Sequence, residues 1–112
     1  MKEYQLQTSI IKYINLKYPN LLYCASAGGV RTSFTQAKKM KATGYVKGFP
    51  DLFIYEPRGF YHGLAIEVKI KKGRPTKSQI DWKDKLNERN YKAVITYGFE
   101  ETIIEINKYL KL

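Results

Sequence analysis

Apolar residues recur along this chain with two periods, and the switches between them mark its elements. Over residues 3–17 the period is helical, with Leu6, Ile10 and Ile14 each four apart and Tyr13 widening the stripe. Pro19-Asn20 ends that helix and turns the chain. Leu21 to Ser26 then reads as a short buried strand, with Cys24 as a small core residue, and Gly28-Gly29 breaks it. Ser33 to Ala42 reads as a short helix, opened by the capping box Ser33-Phe34-Thr35-Gln36 and closed by Thr43-Gly44. A period of two follows. Pro50-Asp51-Leu52-Phe53-Ile54 and Leu64-Ala65-Ile66-Glu67-Val68-Lys69-Ile70 are two strands separated by the turn sequence Glu56-Pro57-Arg58-Gly59. Pro50 is acceptable there because it is the first residue of its strand. Thr76-Lys77-Ser78-Gln79 is a second capping box and opens a helix to about Glu88, with Ile80, Lys83 and Leu86-Asn87 on one stripe and Trp82 widening it. Asn90 can end it in the left-handed region. Tyr91 to Tyr97 is a strand with Ala93-Val94-Ile95 as its buried part. After Gly98, Phe99 to Leu110 is an amphipathic helix with Ile103, Ile104, Ile106 and Leu110 facing inward.

The resulting order, α-β-(α)-β-β-α-β-α, predicts an α/β fold with a mixed central sheet flanked by helices. The two central strands pair antiparallel, and helix 76–88 is the crossover that lets 91–97 run parallel to a neighbour. At 112 residues the expectation is one domain, 1–112, with one modest core. Neither a repeat nor a low-complexity segment interrupts it.

Charge narrows the function. The formal net charge of +10 favours a polyanionic partner, nucleic acid first, and charge alone leaves RNA beside DNA. No long basic amphipathic helix suggests a membrane surface, no apolar run reaches spanning length, and no signal-peptide pattern opens the chain, so an intracellular location is expected. One cysteine excludes an internal disulfide, and one histidine, His62, argues against a zinc hydrolase built on imidazoles. Gly28-Gly29 is no phosphate loop, since no Gly-Lys-Ser/Thr follows. The cations that would hold a nucleic-acid backbone are Arg31 after the glycines, Lys38, Lys39 and Lys41 on the short helix, and Lys47 in the flexible loop Gly44–Gly48. Lys71, Lys72 and Arg74 follow in the loop leaving the second central strand, with Lys77 beyond it. For Arg31, the helix lysines and the loop 71–74, the alternative is an ordinary solvated charge.

The chemistry concentrates at the central strands. A period of two puts Glu67 and Lys69 side by side on one face. A turn centred near Arg58-Gly59 sets Asp51 opposite Ile66 or Glu67. Two carboxylates and an ammonium therefore converge on one patch of sheet. As a surface ion pair on a wet strand face this would mean little. With Asp51 added, oxygen ligands on adjacent strands suit a hard divalent ion, and a neighbouring lysine can position a water or stabilise an oxyanion.

Pro50-Asp51 followed sixteen residues later (67 − 51) by Glu67-Val68-Lys69 resembles the PD-(D/E)XK nuclease motif. The wider string of Gly44, Lys47-Gly48-Phe49-Pro50-Asp51-Leu52, Ile66-Glu67-Val68-Lys69, Gly73 and Ser78-Gln79 is similar to the VRR-NUC branch. That branch includes small phage and bacterial nucleases and the nuclease domain of the Fanconi-associated nuclease. The resemblance implies a restriction-endonuclease-like αβββαβ core and metal-dependent DNA hydrolysis. It implies Mg²⁺ or Mn²⁺ held by Asp51, Glu67 and the Val68 carbonyl, with Lys69 acting on the water or on developing charge. It further implies that Glu3, on the first helix with Gln7 after it, and Gln79 complete the site. On residues alone, Glu3 serves as well by complementing a helix dipole, and Gln79 as the cap of its own helix. Small members of the branch resemble Holliday-junction resolvases, so branched four-way DNA and a homodimer are expected, and a phage origin is in keeping with this. The alternatives are a flap or single-strand-end nuclease, and a basic DNA-binding module carrying an inactive nuclease fold.

Overall fold

A computed structural model describes residues 2–26 and 33–112; Gly28, Gly29 and Arg31 lie outside the described residues. The hydrophobic pattern's elements form in the order α1 (Glu3–Lys17), β1 (Tyr23–Ala25), α2 (Phe34–Ala42), β2 (Leu52–Ile54), β3 (Leu64–Lys69), α3 (Lys77–Glu88), β4 (Lys92–Tyr97) and α4 (Gly98–Leu110). The sheet runs β1-β2-β3-β4, antiparallel for the first two pairings and parallel for β3 with β4. β2 and β3 run in opposite directions out of the connection 55–63, which the Arg58–Tyr61 bridge tightens, whereas α3 carries the chain back so that β4 enters parallel.

Each face of the sheet has its own apolar cluster. On one, Leu52, Ile54, Leu64, Ile66 and Val68 meet Leu6, Ile10 and Ile14 of α1 and Ile106 and Tyr109 of α4. On the other, Phe53, Ala65 and Ala93 meet Leu86 of α3, with Phe49, Trp82 and Tyr91 beside them. Helices therefore cover both faces of β3, and all six of its residues are buried, Glu67 and Lys69 included. The alternative of an exposed ion pair on a wet strand face therefore does not describe Glu67 and Lys69.

Other departures have local causes. β1 sits at the sheet edge, so it is shorter than Leu21–Ser26 and largely exposed, and Cys24 is exposed too, not a core residue. Ser33 caps α2 by accepting from the Gln36 N–H at 3.1 Å, the forward half of the box, and α2 buries no residue. In α3 only Leu86 is buried and Ile80 is exposed. In α4 the buried set is Thr102, Ile106 and Tyr109, while Ile104 is exposed. Thr102 can be interior because its hydroxyl donates to the Gly98 carbonyl at 2.7 Å. That uses its single proton, so Thr96, 2.7 Å away, donates to it. Tyr109 likewise satisfies its hydroxyl on the Glu56 carbonyl at 2.6 Å, which ties α4 to the β2–β3 turn. β4 buries Ala93 and Thr96, with Val94 and Ile95 half-buried, because it is an edge strand.

Candidate active site

The site forms where β2 starts and β3 ends. Asp51 is the residue before β2, and the pairing of Leu52 with Ile66 carries one step on to set Asp51 across from Glu67. Its Oδ2 accepts the Val68 N–H at 2.8 Å, locking the carboxylate against β3. Two residues along the same face, Lys69 Nζ stands 3.6 Å from Glu67 Oε2. Glu67 is 6% exposed and Lys69 9%. The other Glu67 oxygen, Oε1, is buried without a hydrogen-bond partner.

Burial is the main force on Glu67, pushing its carboxyl up to about 8. Hydrogen bonding to Asp51 and the Asp51 charge push the same way, and Lys69 opposes them. Two adjacent carboxyls, the buried one with an idle oxygen, form an incomplete polar network that a cation would complete. Among the described residues no third Asp, Glu, His or Cys joins them. This donor set fits a hard ion such as Mg²⁺, which takes one or two carboxylates and keeps several waters.

Asp51, Glu67, Val68, Lys69, Glu3 and Gln79 all line a single cleft of about 610 Å³. α1 brings Glu3 and Gln7 to its rim, an exposed end to an otherwise buried stripe. Gln79 is engaged at the α3 start, its Oε1 accepting the Thr76 N–H at 2.9 Å and its own N–H donating to Thr76 Oγ1 at 3.2 Å. The loop before β2 makes the remaining wall. Gly48 has φ +92°, and a Cβ there would stand 2.6 Å from the Ser78 carbonyl carbon, so only glycine lets loop and helix touch. Trp82 Nε1 fastens the same loop by donating to the Lys47 carbonyl at 3.2 Å.

Of the expected backbone-holding cations, Lys47 lines this cleft. Lys71, Lys72 and Arg74 are exposed after β3, Lys77 is exposed on α3, and Lys38, Lys39 and Lys41 are exposed on α2. Tyr4, Thr8, Ser26, Tyr45 and Ser78 also line the cleft without having been singled out as site residues. Tyr4 and Thr8 flank Glu3 and Gln7 at helical spacing, so that period carried a signal for them. Tyr45 and Ser26 reach the cleft through packing between segments distant in sequence, which leaves no periodic trace.

The model of the VRR-NUC domain family matches residues 1–100. A solved structure described as a VRR_NUC domain protein is similar over 100% of this chain and 90% of its own, with a TM-score of 0.87 and 28% sequence identity. No curated protein matches the chain.

Proposed function

This chain belongs to the VRR-NUC family, with a nuclease-type function in DNA processing, and from there we propose that it is a Mg²⁺- or Mn²⁺-dependent endonuclease that hydrolyses phosphodiester bonds in branched DNA. The observation that carries the reading is Asp51 set beside the buried Glu67, whose second carboxylate oxygen is idle. Asp51, Glu67 and the Val68 carbonyl would hold the cation. When bound, it supplies Lewis-acid polarisation of a phosphate oxygen and a lowered pKa for a coordinated water. Lys69, held near Glu67, orients the attacking water or neutralises charge building on the phosphate. Glu3 and Gln79, on the cleft wall, orient groups around this centre. The exposed lysines and Arg74 hold the strand by its phosphates.

One catalytic centre per chain cuts one strand at a time. Paired cuts across a four-way junction therefore call for two copies, and a symmetric dimer is the commonest way to supply them. The test is cleavage of labelled four-way, flap and linear DNA, with solution mass measured in parallel. Activity should vanish in EDTA and return with Mg²⁺ or Mn²⁺, and a folded Lys69→Ala protein should lose about 10²–10³ in rate. Preference for flaps would replace the junction assignment by a flap nuclease. Salt-sensitive DNA binding with no metal-dependent cutting would leave a binding module.

A further inference from the structure

A second cavity, of about 390 Å³, adjoins the catalytic cleft, and Lys47 and Ser78 line both. The two are divided where the loop before β2 rests on α3, at the Gly48–Ser78 approach and the Trp82–Lys47 hydrogen bond. Its lining mixes two chemistries. Trp82 and the exposed Val46 are apolar surface, whereas Lys47, Lys85 and Arg89 are cations against one acid, Asp81. Lys85 lies in the last turn of α3 and Arg89 caps its C-terminal end, four residues on. The Arg89 guanidinium is partly occupied, donating to the Lys85 carbonyl at 2.8 Å and lying 3.9 Å from Glu88. Among the described residues the Lys47 and Lys85 ammonium groups form no ion pair. An aromatic ring beside unspent cations, in a space of ligand size, suits a unit that is half planar ring and half anion.

We propose that this cavity is a subsite for one unpaired nucleotide of the DNA strand running through the catalytic cleft, its base against Trp82 and its phosphate on Lys85 and Arg89. The inference rests on DNA being the substrate, and it adds a requirement: the strand must be unpaired beside the cut. A paired base presents only its edges, so a duplex cannot fill the cavity, whereas a base at a branch or in a single strand can swing into it.

Trp82 is the single tryptophan of the chain, so all tryptophan emission comes from a ring that lines this cavity. The experiment titrates the full chain, in EDTA, with a fluorescein-labelled oligothymidine strand and with a duplex of equal length, following Trp82 emission and DNA anisotropy together. The single strand should quench Trp82 and the duplex should not. Lys85→Ala/Arg89→Ala, two exposed positions away from both core clusters, should weaken single-strand binding about tenfold, as removing cations from phosphates does, and duplex binding less than about twofold. Trp82 emission unchanged while anisotropy shows a bound strand would overturn the subsite. So would equal quenching by duplex, no strand binding at all, or a double variant that binds the single strand as wild type does. Metal-dependent cleavage without quenching would remove the subsite and leave the nuclease; quenching without cleavage would do the reverse.

Discussion

Asp51 and Glu67 face each other from neighbouring strands, and burial together with mutual repulsion keeps a proton on the pair unless a cation replaces it. The consequence for stability has a definite sign. In the unfolded chain Glu67 loses its proton near 4.5; in the folded chain its carboxyl is held up to about 8. Between those values the folded state binds the extra proton, so this contribution is fully present below the lower value and is lost as pH rises through the upper one. In EDTA the melting temperature should therefore fall as pH climbs across that window, relative to Glu67→Gln, which carries no titrating group there. Parallel melting curves for the two proteins across the window would contradict the assignment. A bound cation displaces the same proton, so affinity for Mn²⁺ should rise over the same range and level off above it. Asp51, Glu67 and Lys69 were legible as a cluster because strand period and turn position are local properties. The burial of Glu67 and Lys69 was not, because Ala65-Glu67-Lys69 reads like a wet face until segments distant in sequence close around it.

α3 ties its neighbours together through side chains the apolar pattern passes over. Its start was written locally in Thr76 and Gln79, and both halves of that box form. Near its end, Asn87 reaches the edge strand β4, donating Nδ2–H to the Ala93 carbonyl at 3.0 Å and accepting the Ala93 N–H on Oδ1 at 3.0 Å. The amide thus stands where a further strand would bond, which guards an edge otherwise open to pairing. Asn87→Ala leaves two part-buried backbone groups without those partners and should cost about 1–3 kcal/mol, read as a lower urea midpoint at unchanged slope. A wild-type midpoint would show that water replaces the amide without penalty. α2 is the opposite case. It is nine residues long, capped by Ser33 and buries nothing, and a helix of that length is marginal in isolation. Its lysines, with no acid in its first turn, make a polyanion the natural partner for its outer face.

The whole molecule carries +10, and much of that excess falls on α2 with Lys38, Lys39 and Lys41, on the turn after β3 with Lys71, Lys72 and Arg74, and on Lys47 in the loop before β2. Such a field draws a polyanion to the protein surface. Binding through it should be steeply salt-dependent. If about four of these cations neutralise phosphates, the slope of log affinity on log salt is about −3.6. Replacing Lys38, Lys39 and Lys41 together by alanine should flatten it by about 0.9 for each phosphate that those lysines neutralise in the wild type. Anisotropy titrations in EDTA over a salt series measure both. A slope unaltered by the triple replacement would remove α2 from the DNA-binding surface. The cavity beside Trp82 belongs to the same picture, where the cationic surface and an aromatic side chain meet next to the cleft.

Helix stripes, capping boxes, turn residues and the alternation of β3 all act over a few neighbouring positions, so the linear order of residues specified the elements, their order and the Asp51, Glu67 and Lys69 constellation. The VRR-NUC resemblance was legible for the same reason, since its residues fall in short runs. Packing between distant segments fixed the rest. Packing of α1, the loop before β2 and the start of α3 around the end of β3 left a buried carboxyl beside Asp51, and Gly48 against Ser78 closed the cleft wall. Thr96 and Thr102 became interior by bonding to each other, and the edge position of β1 left Cys24 exposed. None of these follows from periodicity, because burial depends on what the chain brings from elsewhere to cover a residue.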